Sequence, residues 1–206
     1  MRGFILGTLA AALLLPTGCE KAADEVPTPT PPTVTQAPTT RPPAPPAWRP
    51  SEPKIARFAG LVGRKPATWI EHPPQLAMRA ANYTVPGRDG NEAAHIVVFG
   101  SIGGSIDHNI DRWQSQFEPD ENRDLVEPQI SRFKTGGMAV TLVELAGSWR
   151  KMGTQWFTPD QLFITAIVET PDGNVFIRFA GQTATVEGAR PAFIKMVRSL
   201  HSDDQE

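Results

Sequence analysis

Leu162-Phe163-Ile164-Thr165-Ala166-Ile167-Val168, then Thr170-Pro171-Asp172-Gly173, then Val175-Phe176-Ile177-Arg178-Phe179 is the stretch on which the fold turns. Two runs rich in β-branched and aromatic residues flank a turn signal with a mechanism. Pro171 pre-sets the first turn dihedral and Gly173 accommodates the last. The segment reads as a β-hairpin.

Working towards the N-terminus, Ala139–Gly147 and Gln129–Lys134 are two further strand candidates. They are joined by Thr135-Gly136-Gly137, where glycine takes positive φ without strain. Met78–Val85 and Ala93–Phe99 flank the polar loop Pro86-Gly87-Arg88-Asp89-Gly90-Asn91 and read as an antiparallel pair. Residues Ile55–Val62 and Ala67–Ile70 supply one more strand or a short edge.

Two helices complete the pattern. Gly103-Gly104-Ser105 opens the first, in which Ile106, Asn109, Ile110, Trp113 and Phe117 fall at helical spacing. Ser105 is its natural N-cap, Asp107 suits the positive end of the helix dipole, and Pro119 closes it. The second runs from Thr183 or Thr185 to Leu200, with Val186, Phe193, Ile194, Val197 and Leu200 on its apolar side and a kink at Pro191. Strands, helix, strands, helix predicts an α+β domain over residues 54–202: one mostly antiparallel sheet with two main helices packed on it. Residues 203–206 read as an acidic tail.

The N-terminal quarter has a different character. Phe4–Leu15 is an apolar run of about 12 residues behind Arg2, too short to cross roughly 30 Å of hydrocarbon, and so reads as a signal peptide over residues 1–18. Pro16-Thr17-Gly18-Cys19 resembles a lipobox, although Pro16 stands where leucine is usual. Cys19 is the one cysteine of the chain and the expected lipidation site. Lipoproteins of this kind carry two or three acyl chains there, enough for stable anchoring. Residues 19–53 are Pro, Thr, Ala and Glu with almost no large apolar side chain, and read as a disordered, extended stalk. Its ~34 residues at about 3.1 Å each reach on the order of 100 Å. Localisation follows: the cell envelope, on the extracytoplasmic side, membrane-bound through the lipid.

Composition excludes several functions. A formal charge of −2 gives no net field for holding nucleic acid. One cysteine permits neither a disulfide nor a CxxC pair nor a cysteine zinc site. His72, His95, His108 and His201 show neither HxH nor HExxH spacing, and His108 beside Asp107 and Asp111 reads as a solvated helix face. No metal or other cofactor is expected. Gly100–Ser105 lacks the lysine of a phosphate loop. Ser105 stands where an elbow serine would, with His201 as a conceivable base, but the pattern fails at Asp107. No catalytic residues are assigned.

Trp149, Trp156 and Phe157 lie in the least regular segment, beside Arg150 and Lys151. Core packing is one account of them. Amphipathic rings on a loop beside cations are also what a binding surface uses, so the three are candidate binding residues.

Met78-Arg79 before Tyr83, Gly103-Gly104-Ser105-Ile106 before Asn109-Ile110 and Arg112-Trp113, Gln116-Phe117, Thr141-Leu142-Val143, Ala166–Thr170 and Phe193 near Ser199-Leu200 together resemble a group of uncharacterised bacterial lipoproteins. The resemblance covers nearly the whole mature domain and implies no activity. More distantly, the element order resembles the PsbP-like α/β/α sandwich, a likeness that does not transfer function. The expectation is a membrane-tethered, non-enzymatic binding or assembly module with an envelope protein as a candidate partner. A hydrolase, or a purely structural envelope component, is the alternative.

Overall fold

The computed structural model describes residues 49–118 and 126–205. Cys19, the leader and most of the stalk lie outside the described residues. The hairpin forms as its sequence requires: strands β8 (Thr158–Thr170) and β9 (Gly173–Gln182) pair from Thr170↔Gly173 to Gln161↔Gln182. Thr170 Oγ1 donates to the Gly173 carbonyl at 2.7 Å, and Gly173 takes φ 112°.

Around it, β3 (Ile70–His72), β4 (Arg79–Val85), β5 (Ala94–Phe99), β6 (Gln129–Thr135) and β7 (Met138–Trp149) build a seven-stranded sheet in the order β3-β4-β5-β9-β8-β7-β6. Every neighbouring pair is antiparallel. The apolar runs of β8 and β9 are explained by burial on both faces. Ile164, Ala166, Val175, Ile177 and Phe179 point one way, onto Val186, Phe193, Met196 and Val197 of α2 (Thr183–Arg198). Phe163, Ile167 and Phe176 point the other way, onto Ile110 and Trp113 of α1 (Ile106–Gln114).

The expected fold class needs correction. Among the described residues strand accounts for 46% and helix for 18%, and the strands make two sheets instead of one. β1 (Ile55–Phe58), β2 (Leu61–Arg64) and β10 (His201–Ser202) form a separate three-stranded antiparallel sheet. The reason lies in a tight turn and a close approach. Ala59 and Gly60 take φ 49° and 72°, folding β2 straight back on β1. Gly63 then lies so close to the end of α2 that a Cβ there would fall 2.8 Å from Leu200 Cδ2. The backbone of β2 is thereby committed to β1 and the chain end, away from the large sheet.

The same packing ties down the first residues of the segment that reads as an acidic tail. Asp203 N donates to the Gly60 carbonyl at 2.9 Å, and the Asp203 carboxylate pairs with Arg57. Residues Asp203–Gln205 form a 3-10 turn.

α1 opens as its sequence predicts. Ser105 is extended (φ −69°, ψ 161°) and its Oγ accepts from His108 N at 3.2 Å. Ser105→Ala should therefore cost about 1 kcal/mol, read as a fall in the urea midpoint with unchanged slope.

Candidate functional site

α1 covers only part of its face of the large sheet. Beyond the Phe176 and Ile167 level, the register carries the same face on through Arg178, Ala180 and Gln182 of β9, Val97 and His95 of β5, and Asn82 and Thr84 of β4. Where a large ring would be needed to continue the core, β9 offers only the methyl group of Ala180. The result is a cavity of about 500 Å³, within the range of small-molecule sites.

Arg178 stands at its inner end, on β9, the middle strand of the seven. The guanidinium lies over the rings of Phe99, Trp149 and Phe163 at 5.1, 5.8 and 5.9 Å. Among the described residues no carboxylate pairs with it. Burial, with Arg79 and Arg112 adding like charge, brings its pKa down to about 10. A half-buried cation among other cations costs folding energy that a carboxylate partner would offset.

Arg79 and Lys151 are two further cations in the lining. Arg79 donates from Nη1 to Asn82 Oδ1 at 3.3 Å, while its buried Nε has no partner among the described residues. Lys151, His72 and His95 also face the cavity, and among the described residues Glu92 is the one acid that lines it. His95 has its pKa lowered by partial burial and then by Lys151 and His72. His72 Nε2 and Thr84 Oγ1 are 2.9 Å apart.

A bulge shapes one wall. The β7–β8 ladder slips between Gly147 and Trp149, with Gly147 at φ 148° and Asp160 at φ 55°. Bulges re-aim side chains and gather beside functional sites. Here the slip sets Trp149 against the cavity while Thr158 and Gln161 form its rim.

The structure separates the three aromatic residues that the sequence grouped. Trp149 ends β7 and is 7% exposed; it stacks on Phe117 at 6.5 Å, and its Nε1 donates to Gln116 Oε1 at 3.2 Å. It is a core residue with one edge on the cavity. Phe157 is half-buried beneath the Arg150 guanidinium, 5.2 Å from its ring centroid. Trp156 is 77% exposed, in the same loop as Met152. Cys19 lies outside the described residues.

The other candidates resolve locally. Ser105 caps α1, whereas His201 pairs with Val62 in the small sheet and places Nδ1 3.2 Å from the Ser199 carbonyl. Among the described residues no three His, Cys, Asp or Glu side chains gather as metal ligands, and no helix is long and apolar enough to cross a membrane.

Arg178 and Arg79 are the residues that sequence reasoning missed. A signal was present: Arg178 is one charge inside Val175–Phe179, and charge on a strand buried on both faces calls for a partner or a role.

No protein-family model and no curated protein matches the chain. Among solved structures it is similar to a Pseudomonas aeruginosa protein of unknown function, with 12% identity, a TM-score of 0.46, and 70% of this chain and 92% of that one covered. It is also similar to the cyanobacterial PsbP protein of Synechocystis sp. PCC 6803, with 11% identity, a TM-score of 0.46, and 78% and 99% covered.

Proposed function

We propose that this chain is a lipid-anchored, non-enzymatic binding module of the cell envelope, and that it takes its ligand in the cavity on the uncovered half of the large sheet. The carrying observation is that cavity with Arg178 at its inner end, held by three aromatic rings and given no acidic partner among the described residues. A rigid sheet floor with a few polar groups aimed into a concavity is the usual plan of a ligand site. Anchoring rests on the sequence: a leader of signal-peptide length, then Cys19, then a proline-rich spacer.

The test pairs the full-length chain with its Thr84→Trp variant. Thr84 lines the cavity from β4, and an aromatic ring suits a strand while filling the space. Small-molecule fractions of envelope extract should raise the melting temperature of the wild-type chain by a few degrees and leave Thr84→Trp unmoved, as mass action on a folded-state ligand requires. Equal shifts, or none, would remove the cavity as the site. Consumption of the ligand over time would favour the hydrolase alternative. Cys19→Ala should abolish acylation and membrane retention; a wild-type chain without acyl groups by mass spectrometry would sink the anchor.

A further inference from the structure

We infer that the ligand of this cavity carries an oxyanion, carboxylate or phosphate, on a small hydroxyl-bearing body, as an acidic sugar does, with Arg178 and Arg79 as its anchors. The inference rests on the cavity being the binding site and adds the chemistry of what enters it.

The charged end follows from the arginines. Arg178 has its ring contacts but no hydrogen-bond acceptor among the described residues, and the Nε of Arg79 is buried with none. Both line the same cavity. A guanidinium fork matches a carboxylate or phosphate through two parallel bonds, which is its strongest pairing. Lys151 adds positive charge, and His72 and His95 add ring nitrogens, against Glu92 as the one acid among the described residues of the lining. An oxyanion would supply the countercharge that folding has left out.

The polar body follows from the rim. Gln161 and Gln182 sit directly opposite each other on β8 and β9, and both line the cavity. Gln161 uses its Nε2 on the Pro159 and Asp160 carbonyls, which leaves its Oε1 as an acceptor. Gln182 uses its Oε1 to accept from Glu92 N, which leaves its Nε2 as a donor. An acceptor beside a donor on neighbouring strands is what one hydroxyl, or two adjacent ones, can satisfy. Trp149 adds an apolar edge for the body of the ligand.

The experiment is calorimetric titration of the full-length chain at constant ionic strength with four probes: inorganic phosphate, glucuronate, glucose 6-phosphate and glucose. At least one of the two charged sugars should bind saturably, more tightly than phosphate, with glucose about tenfold weaker or worse. Arg178→Gln and Arg79→Gln should each weaken that binding about tenfold, and Gln161→Ala should weaken the charged sugar but not phosphate. Glucuronate and glucose 6-phosphate separate the carboxylate from the phosphate form. Arg79 lies at the edge of the packed region, so Arg79→Gln keeps the test open if Arg178→Gln fails to fold.

Charged and neutral sugars binding alike, or affinities unchanged in Arg79→Gln, would overturn the inference. So would the absence of binding by all four probes at millimolar concentration. Glucose binding that Thr84→Trp abolishes and Arg79→Gln spares would overturn the oxyanion while leaving the cavity as the site. Charged-sugar binding that Thr84→Trp spares would overturn both.

Discussion

Trp149→Ala should lower the unfolding free energy by about 3–5 kcal/mol, as deletion of a large buried aromatic does. In a domain of this size that is a fall of on the order of 10 °C in melting temperature. Trp149 is 7% exposed and packs on Phe117 and Phe163 at centroid distances of 6.5 and 5.9 Å. Phe163 is itself fully buried against Trp113 and Phe117, so little can collapse into the space vacated. The variant would also strip Arg178 of one of its three rings and Gln116 of its indole donor. Trp156→Ala, seven residues on, should change stability by less than about 0.5 kcal/mol, because the ring is 77% exposed. Denaturation of the two variants side by side decides the matter; similar losses would mean that Trp156 is packed.

The second large effect concerns Gly136, between β6 and β7. It takes φ 51°, and a Cβ there would fall 2.6 Å from the Leu200 carbonyl oxygen and 2.9 Å from His201 Cα. Its neighbour Thr135 donates from Oγ1 to that same carbonyl at 3.1 Å, so the turn is pinned to the backbone leaving α2. Gly136→Ala should therefore add a backbone clash to the left-handed strain and cost about 2–4 kcal/mol in all. Gly137→Ala is the control: φ is 80° but a Cβ there meets nothing within 4 Å, so only the strain of about 1–2 kcal/mol remains. Equal losses would show that contact with the chain end contributes nothing.

The sequence by itself determined the local elements, because the physics that forms them is local. Pro171 and Gly173 specify a hairpin turn without reference to any other part of the chain. Ser105 caps α1 because its hydroxyl reaches a backbone N–H three residues on. Period-2 alternation also decides which residues share a face, so Phe176, Arg178, Ala180 and Gln182 were already committed to one side of β9.

Only the tertiary structure decided which strands became neighbours and how far each helix reached. Nothing local in Leu61-Val62-Gly63-Arg64 says that its partners are β1 and residues His201–Ser202 rather than the large sheet. Trp149 and Trp156 look alike in sequence, and a β-bulge buries one while the loop exposes the other. The cavity likewise needs β4, β5, β8 and β9 side by side and α1 stopping short of them. Those pairings join residues far apart in the chain, and their energies come from burial that exists only once the sheet is assembled. Arg178 was legible as a charge in an apolar strand, but its lack of a carboxylate partner among the described residues is a property of the folded surroundings.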